Sequence, residues 1–149
     1  NMTAAVYDLP TTRPFAEKTI KRFELSDRVA FKEGDFTEDA DLGGPYDAAW
    51  LSHILHGENP EECRRILKKA AAALTPGGRL LIHEFILDDT RDAPLFPALF
   101  SLNMLLGTDG GQAYAEGELT DMMTEAGLRD IKRLPFRGPT DSSILEGRQ

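Results

Sequence analysis

"ENPEECRRILKKAAAALTPGGRLLIHEFIL", residues 58–87, decides the fold. Asn59 is a good N-cap, Pro60 suits the first helical position, and Glu62 stands three residues after the cap, as in a capping box. Cys63, Ile66, Leu67, Ala70, Ala71 and Leu74 then recur with the period of one helical face. "TPGG" (75–78) stops that helix with a turn. "RLLIHEFIL" (79–87) follows as a nearly continuous apolar run, the pattern of a strand whose sheet is covered on both faces. "YDAAWLS" (46–52), just upstream, reads as another strand, so a strand–helix–strand unit emerges.

Outward from this unit the pattern continues. "TAAVYDLP" (3–10) gives a strand ending at Asp8. A helix begins near residue 12, with Phe15, Ile20 and Phe23 as a modest apolar stripe. "RVAFKEGDF" (28–36) is a strand ending at Gly34-Asp35, and "EDADLGGP" is polar loop. Helices are predicted over 95–106, apolar nearly all round, and 116–126, with final strands over 128–134 and 142–148. The 95–106 helix reads as core or a dimer face, with Met104 lining a pocket as the sharper alternative. Strands alternating with helices argue for an open, mostly parallel α/β sheet, whose ligands sit at the carboxyl ends of the strands.

The chain has 149 residues, a single cysteine and a formal charge of −8. This acidity gives no electrostatic reason to expect nucleic acid or an anionic membrane as a partner. One cysteine excludes an intrachain disulfide and a thiolate cage, and suits a reducing, cytoplasmic setting. No apolar stretch is long enough to span a bilayer, and the N-terminus lacks a signal-peptide pattern.

The strand ends carry the chemistry. A carboxylate at Asp8 can accept hydrogen bonds from a ribose diol, or simply support a turn before Leu-Pro. Asp35, followed by Phe36, suits an adenine edge beside an aromatic wall, or is an ordinary strand exit. An imidazole with the ordinary pKa of about 6.5 is neutral at pH 7, so His56 can take a proton from a hydroxyl; a surface or capping role is the competing reading. Glu84, ending the following strand, can hold that imidazole by its other nitrogen. His53 reads as a packed wall residue. His53, His56 and His83 do not make a metal site: His53 and His56 have i, i+3 spacing, but no nearby third ligand has a predicted position. Gly77-Gly78 lacks the spacing and lysine of a phosphate loop, and "GTDGG" (107–111) reads as a flexible loop bordering a pocket.

Taken together, "VYDLP", "SDRVAFKEGDF", "YDAAWLSHILHGENPEECRRILKKAAAALTPGGRLLIHEFIL" and "EGELTDMMTEAGL" resemble the S-adenosylmethionine-dependent O-methyltransferases, the group that includes plant phenolic and bacterial hydroxyneurosporene or polyketide enzymes. The resemblance implies a Rossmann-like class I methyltransferase sheet, incomplete at its first strand and with an antiparallel final strand. Asp8 would hold the cofactor ribose, with Leu9 against the adenine; Asp35 and Phe36 would border the adenine; Ser52 would lie near the methionine end. His56 would be the general base and Glu84 its positioning carboxylate. The substrate would be a small phenolic or polyketide-like hydroxyl, and the protein a homodimer. An inactive relative serving as an interaction module and a nicotinamide-binding oxidoreductase domain are the alternatives.

Departures accompany the resemblance. Gly57-Glu58 replaces the family's Asp-Trp after the histidine. Ala113 stands where plant members carry a second glutamate, with Glu116 out of register. The glycine-rich first motif and its central strand, between the strands ending at Asp8 and Ser52, are not in the sequence. Residues 1–149 therefore read as a fragment of a cofactor-binding catalytic domain, with two unpaired inner sheet edges and weak cofactor binding.

Overall fold

The computed structural model describes residues 2–149, which form two compact units, the first through Leu42 and the second Gly43–Gln149. In the first, β1 (Ala4–Asp8) and β2 (Val29–Glu33) pair in parallel, with Ala4 opposite Val29 and Asp8 opposite Glu33. Helix α1 (Arg13–Arg22) connects them. The stripe expected on this helix is only partly used: Ile20 is half-buried, whereas Phe15 and Phe23 are exposed. A two-stranded sheet offers too little apolar surface to cover it.

The second unit holds β3 (Tyr46–Ser52), α2 (Pro60–Ala72), β4 (Leu74–Glu84), α3 (Leu95–Gly107), α4 (Glu116–Glu125), β5 (Arg129–Arg133) and β6 (Ser143–Arg148). Its strand order is β3-β4-β6-β5. β3 and β4 are parallel, and β6 runs antiparallel to both β4 and β5. The final strand is thus antiparallel and inserted between its predecessors, as the Rossmann-like reading requires. Among the described residues β1 pairs only with β2, and β3 only with β4, so each sheet has an open edge. Trp50, on the outermost strand β3, is correspondingly half exposed.

Helix α2 forms as the sequence dictates. The Asn59 carboxamide oxygen accepts hydrogen bonds from the N–H groups of Glu61 and Glu62, both at 3.0 Å. The capping box is only half built: Glu62 turns its carboxylate to Arg65 instead of back to the cap. Cys63, Ile66, Leu67, Ala70 and Ala71 are all buried where α2 packs on β4 and α4. Each large aliphatic side chain buried here contributes about 1.5–3 kcal/mol.

Three further expectations change. Thr75–Gly78 does not precede β4 but lies within it: Leu74 sits opposite Tyr46 and Arg79 opposite Ala48, so residues 75–78 bulge out, with Gly77 in the left-handed region at φ +79°. The strand also ends at Glu84, not at 87; the next residues leave the sheet, and Leu87 pairs with Ala115. Helix α3 is not core: Leu95, Leu99, Leu102, Leu105 and Leu106 are exposed, and Pro97 is its one buried residue.

Because the cap satisfies two orphan N–H groups, Asn59→Ala lowers stability by about 1 kcal/mol in urea unfolding. A change under a few tenths of a kcal/mol would show that the cap is not formed in solution.

Candidate functional site

The parallel register places Ser52 opposite His83, one residue before Glu84. β3 then stops abruptly. The His53 N–H still donates to the His83 carbonyl at 2.9 Å, but His53 adopts φ +55°, a left-handed conformation that ends the extended chain. A short 3-10 turn, Leu55–Gly57, brings His56 back over the end of β4. There its Nδ1 lies 2.8 Å from Glu84 Oε2. A carboxylate only accepts, so Nδ1–H is the donor and Nε2 carries the lone pair of the neutral ring. Glu84 is 3% exposed. Its oxygens also receive the N–H of His56 at 3.4 Å and of Phe85 at 3.2 Å. Three donors thus meet a carboxylate that would be costly to bury unpaired.

Several residues that the sequence did not single out hold this turn. The Cys63 thiol donates to the Leu55 carbonyl at 3.2 Å. The Tyr114 hydroxyl donates to the Glu58 carbonyl at 2.5 Å. Burial pushes the Cys63 thiol up to about 11, so it stays protonated as a donor. Gly111, in the segment expected to be a flexible loop, is buried; a Cβ there would come within 2.4 Å of the His56 carbonyl oxygen. Its N–H donates to Thr108 Oγ1 at 2.9 Å. The sequence signal for this contact was only the Gly-Gly pair itself.

An aromatic group surrounds the imidazoles. Phe100 meets His56 edge-on at a centroid distance of 4.8 Å, and Phe85 lies 4.6 Å from His53. Phe85 packs against Phe96 and Phe100 at 5.0 and 4.7 Å. Helix α3 therefore contributes Phe96 and Phe100 to the surroundings of His56, while its leucines face outward. His53 is packed as expected, and desolvation holds its imidazole below the ordinary histidine range. His83 is engaged on both nitrogens, by Ser52 Oγ at 3.1 Å and Ser142 Oγ at 3.0 Å. Glu116 is committed elsewhere, to Arg133 at 2.8 Å.

The cofactor candidates Asp8, Leu9, Asp35 and Phe36 belong to the first unit, and Ser52, His56 and Glu84 to the second. Parallel pairing brings Asp8 and Asp35 to the same end of their sheet, where the Gly34 N–H donates to the Asp8 carbonyl at 3.0 Å. Asp8 Oδ1 receives the Leu9 N–H at 2.7 Å, which leaves Oδ2 as an acceptor for a diol. Leu9, 42% exposed, offers an apolar surface beside it. Asp35 Oδ1 caps its own turn, accepting from Thr37 N–H at 2.9 Å and Thr37 Oγ1 at 2.6 Å, and so fixes the path of Phe36. These acceptors and apolar surfaces fit a nucleoside.

Residues 1–129 match the family described as O-methyltransferase domain. Tetracenomycin polyketide synthesis 8-O-methyl transferase TcmO of Streptomyces glaucescens is 33% identical over 144 residues, 97% of this chain and 42% of TcmO. Acetylserotonin O-methyltransferase of Gallus gallus is 36% identical over 132 residues, 89% of this chain and 37% of that protein. The solved structure of PigF with SAH superposes with a TM-score of 0.87 at 31% identity, over 99% of this chain and 43% of PigF. The chain spans about two fifths of the length of the curated relatives it matches.

The close approach of Gly111 to the His56 carbonyl has a direct consequence. Gly111→Ala costs about 1–3 kcal/mol in urea unfolding, as overpacking does. Gly57→Ala, where an added Cβ meets nothing within 4 Å, stays within about 0.5 kcal/mol of the parent. Equal effects at the two positions would refute the packing.

Proposed function

The chain belongs to the O-methyltransferase domain family, and on that premise we propose that it forms the cofactor-binding catalytic part of an enzyme that methylates a hydroxyl of a small phenolic or polyketide-like molecule. The observation that carries this reading is the 2.8 Å hydrogen bond between Glu84 and His56 Nδ1. It commits Nδ1 as donor and leaves Nε2 as a proton acceptor, which is what a general base for a weakly nucleophilic hydroxyl requires. The aromatic group of Phe85, Phe96 and Phe100 suits a planar acceptor ring laid beside that nitrogen.

S-adenosylmethionine, when bound, supplies a methyl carbon activated by attachment to a sulfonium. Asp8 holds the ribose through its carboxylate, Leu9 covers the adenine, and Asp35 and Phe36 border it. For Ser52 family membership suggests a role at the methionine end; its hydroxyl lies 3.1 Å from His83 Nδ1. His56 Nε2 would take the proton of the substrate hydroxyl, so that its oxygen becomes the nucleophile toward the activated methyl group. His56 would afterwards release that proton to water. Glu84 does not touch the substrate; it is a positioning residue that keeps the imidazole in one tautomer. Alignment and the base are the protein's share of the rate.

The reading extends to a cytoplasmic homodimer. The single cysteine is buried and unpaired, as suits a reducing compartment. The five exposed leucines of α3 give an apolar face for a second copy.

In the protein that carries this chain, His56→Ala lowers kcat about 10²–10⁴-fold. Its dissociation constant for S-adenosylhomocysteine, by isothermal titration, stays at the parent value. If His53→Ala alone produces this pattern, the base has been assigned to the wrong histidine.

A further inference from the structure

The turn after β3 gathers more than a catalytic pair. His53 Nδ1 is buried and has no hydrogen-bond partner. It lies 3.7 Å from the same Glu84 oxygen that receives His56 Nδ1 at 2.8 Å. Donor atoms of His53, His56 and Glu84 all lie within 4.8 Å of one another. Two imidazole nitrogens and one carboxylate oxygen form a donor set for a borderline divalent cation of the zinc class. Tetrahedral zinc, with bonds of about 2.0–2.2 Å, places its ligands roughly 3.4 Å apart. The observed spacings bracket that value, so small rotations of two rings complete the site. The sequence spacing alone offered no third ligand; the fold supplies it from the neighbouring strand.

We propose that His53, His56 and Glu84 bind one zinc-class divalent cation, with a fourth position open to water. His53 is placed for this by its left-handed backbone, held by the hydrogen bond from its N–H to the His83 carbonyl at 2.9 Å. Binding displaces the Nδ1 proton of His56 to solvent, and the nitrogen lone pair so exposed goes to the metal. The other candidate ligands are accounted for. His83 is engaged by a serine on each nitrogen. Cys63 is fully buried, with its thiol directed at the Leu55 carbonyl. An ion at this position takes the nitrogen and the oxygen that otherwise hold each other. Zinc then blocks methyl transfer; that consequence rests on the function proposed above, whereas binding itself does not.

The test is isothermal titration of the protein with zinc chloride in a non-chelating buffer, together with NMR of ¹⁵N-labelled histidine. The chain has three histidines, so each is read separately. The expected result is one saturable site, with ring nitrogen signals of His53 and His56 shifting together while those of His83 stay fixed. His53→Asn, a residue that tolerates the left-handed backbone, weakens binding about ten-fold or more. Absence of saturable heat, movement of the His83 signals in place of the other two, or unchanged affinity in His53→Asn would each overturn the site. Loss of zinc binding with intact methyl transfer would discard only the site; zinc binding without inhibition would count against His56 as the base.

Discussion

The hydrogen bond from His56 to Glu84 is the constraint on which the second unit is organised. A carboxylate that is 3% exposed must be paired, and it meets the imidazole, the His56 backbone and the Phe85 backbone at the point where β4 ends. Satisfying it requires the chain after β3 to turn back over β4, not to run straight into α2. The left-handed His53, the 3-10 turn and the Asn59 cap are the local means of doing so. Cys63, Tyr114 and Gly111 then fix the far side of the turn, one each from α2, the 113–115 segment and the loop after α3. His56, although on an irregular segment, is thereby fixed by contacts from three separate parts of the second unit.

The sheet fixes the other side of the carboxylate. Parallel pairing of β3 with β4 sets Ser52 against His83, and the antiparallel β6 sets Ser143 against Glu84. The carboxylate is thus braced between two strands while its oxygens face the turn. In the first unit the same logic works at smaller scale: two parallel strands bring Asp8 and Asp35 to one end. Each unit thus gathers its polar side chains at the carboxyl ends of its own parallel strands.

What could be read from the sequence was what local rules govern. Asn59-Pro60 fixed the start of α2 to the residue, and β3 was bounded correctly by its composition; the end of α2 was read too late, because Leu74, counted in the helical face, already pairs with Tyr46 in β4. That His56 and Glu84 could meet was legible because they follow and end consecutive strands, which the structure sets side by side. The misreadings lie where distant residues decide. Glu62 satisfies Arg65 and not the cap. Thr75–Gly78 is drawn into β4 by pairing on either side of it. Tyr114 reaches Glu58 across 56 positions of sequence, and no periodicity announces such a contact. The leucines of α3 follow the composition of a core helix, yet the second unit packs only Pro97 fully.

The most direct test of the central claim is a double-mutant cycle on kcat/KM for His56→Ala and Glu84→Ala in the protein that carries this chain. If Glu84 acts through the imidazole, the double variant is no slower than His56→Ala alone, because removing the ring leaves the carboxylate nothing to position. If the two losses multiply, Glu84 contributes independently of His56, and the pairing at the end of β4 is not what prepares the base.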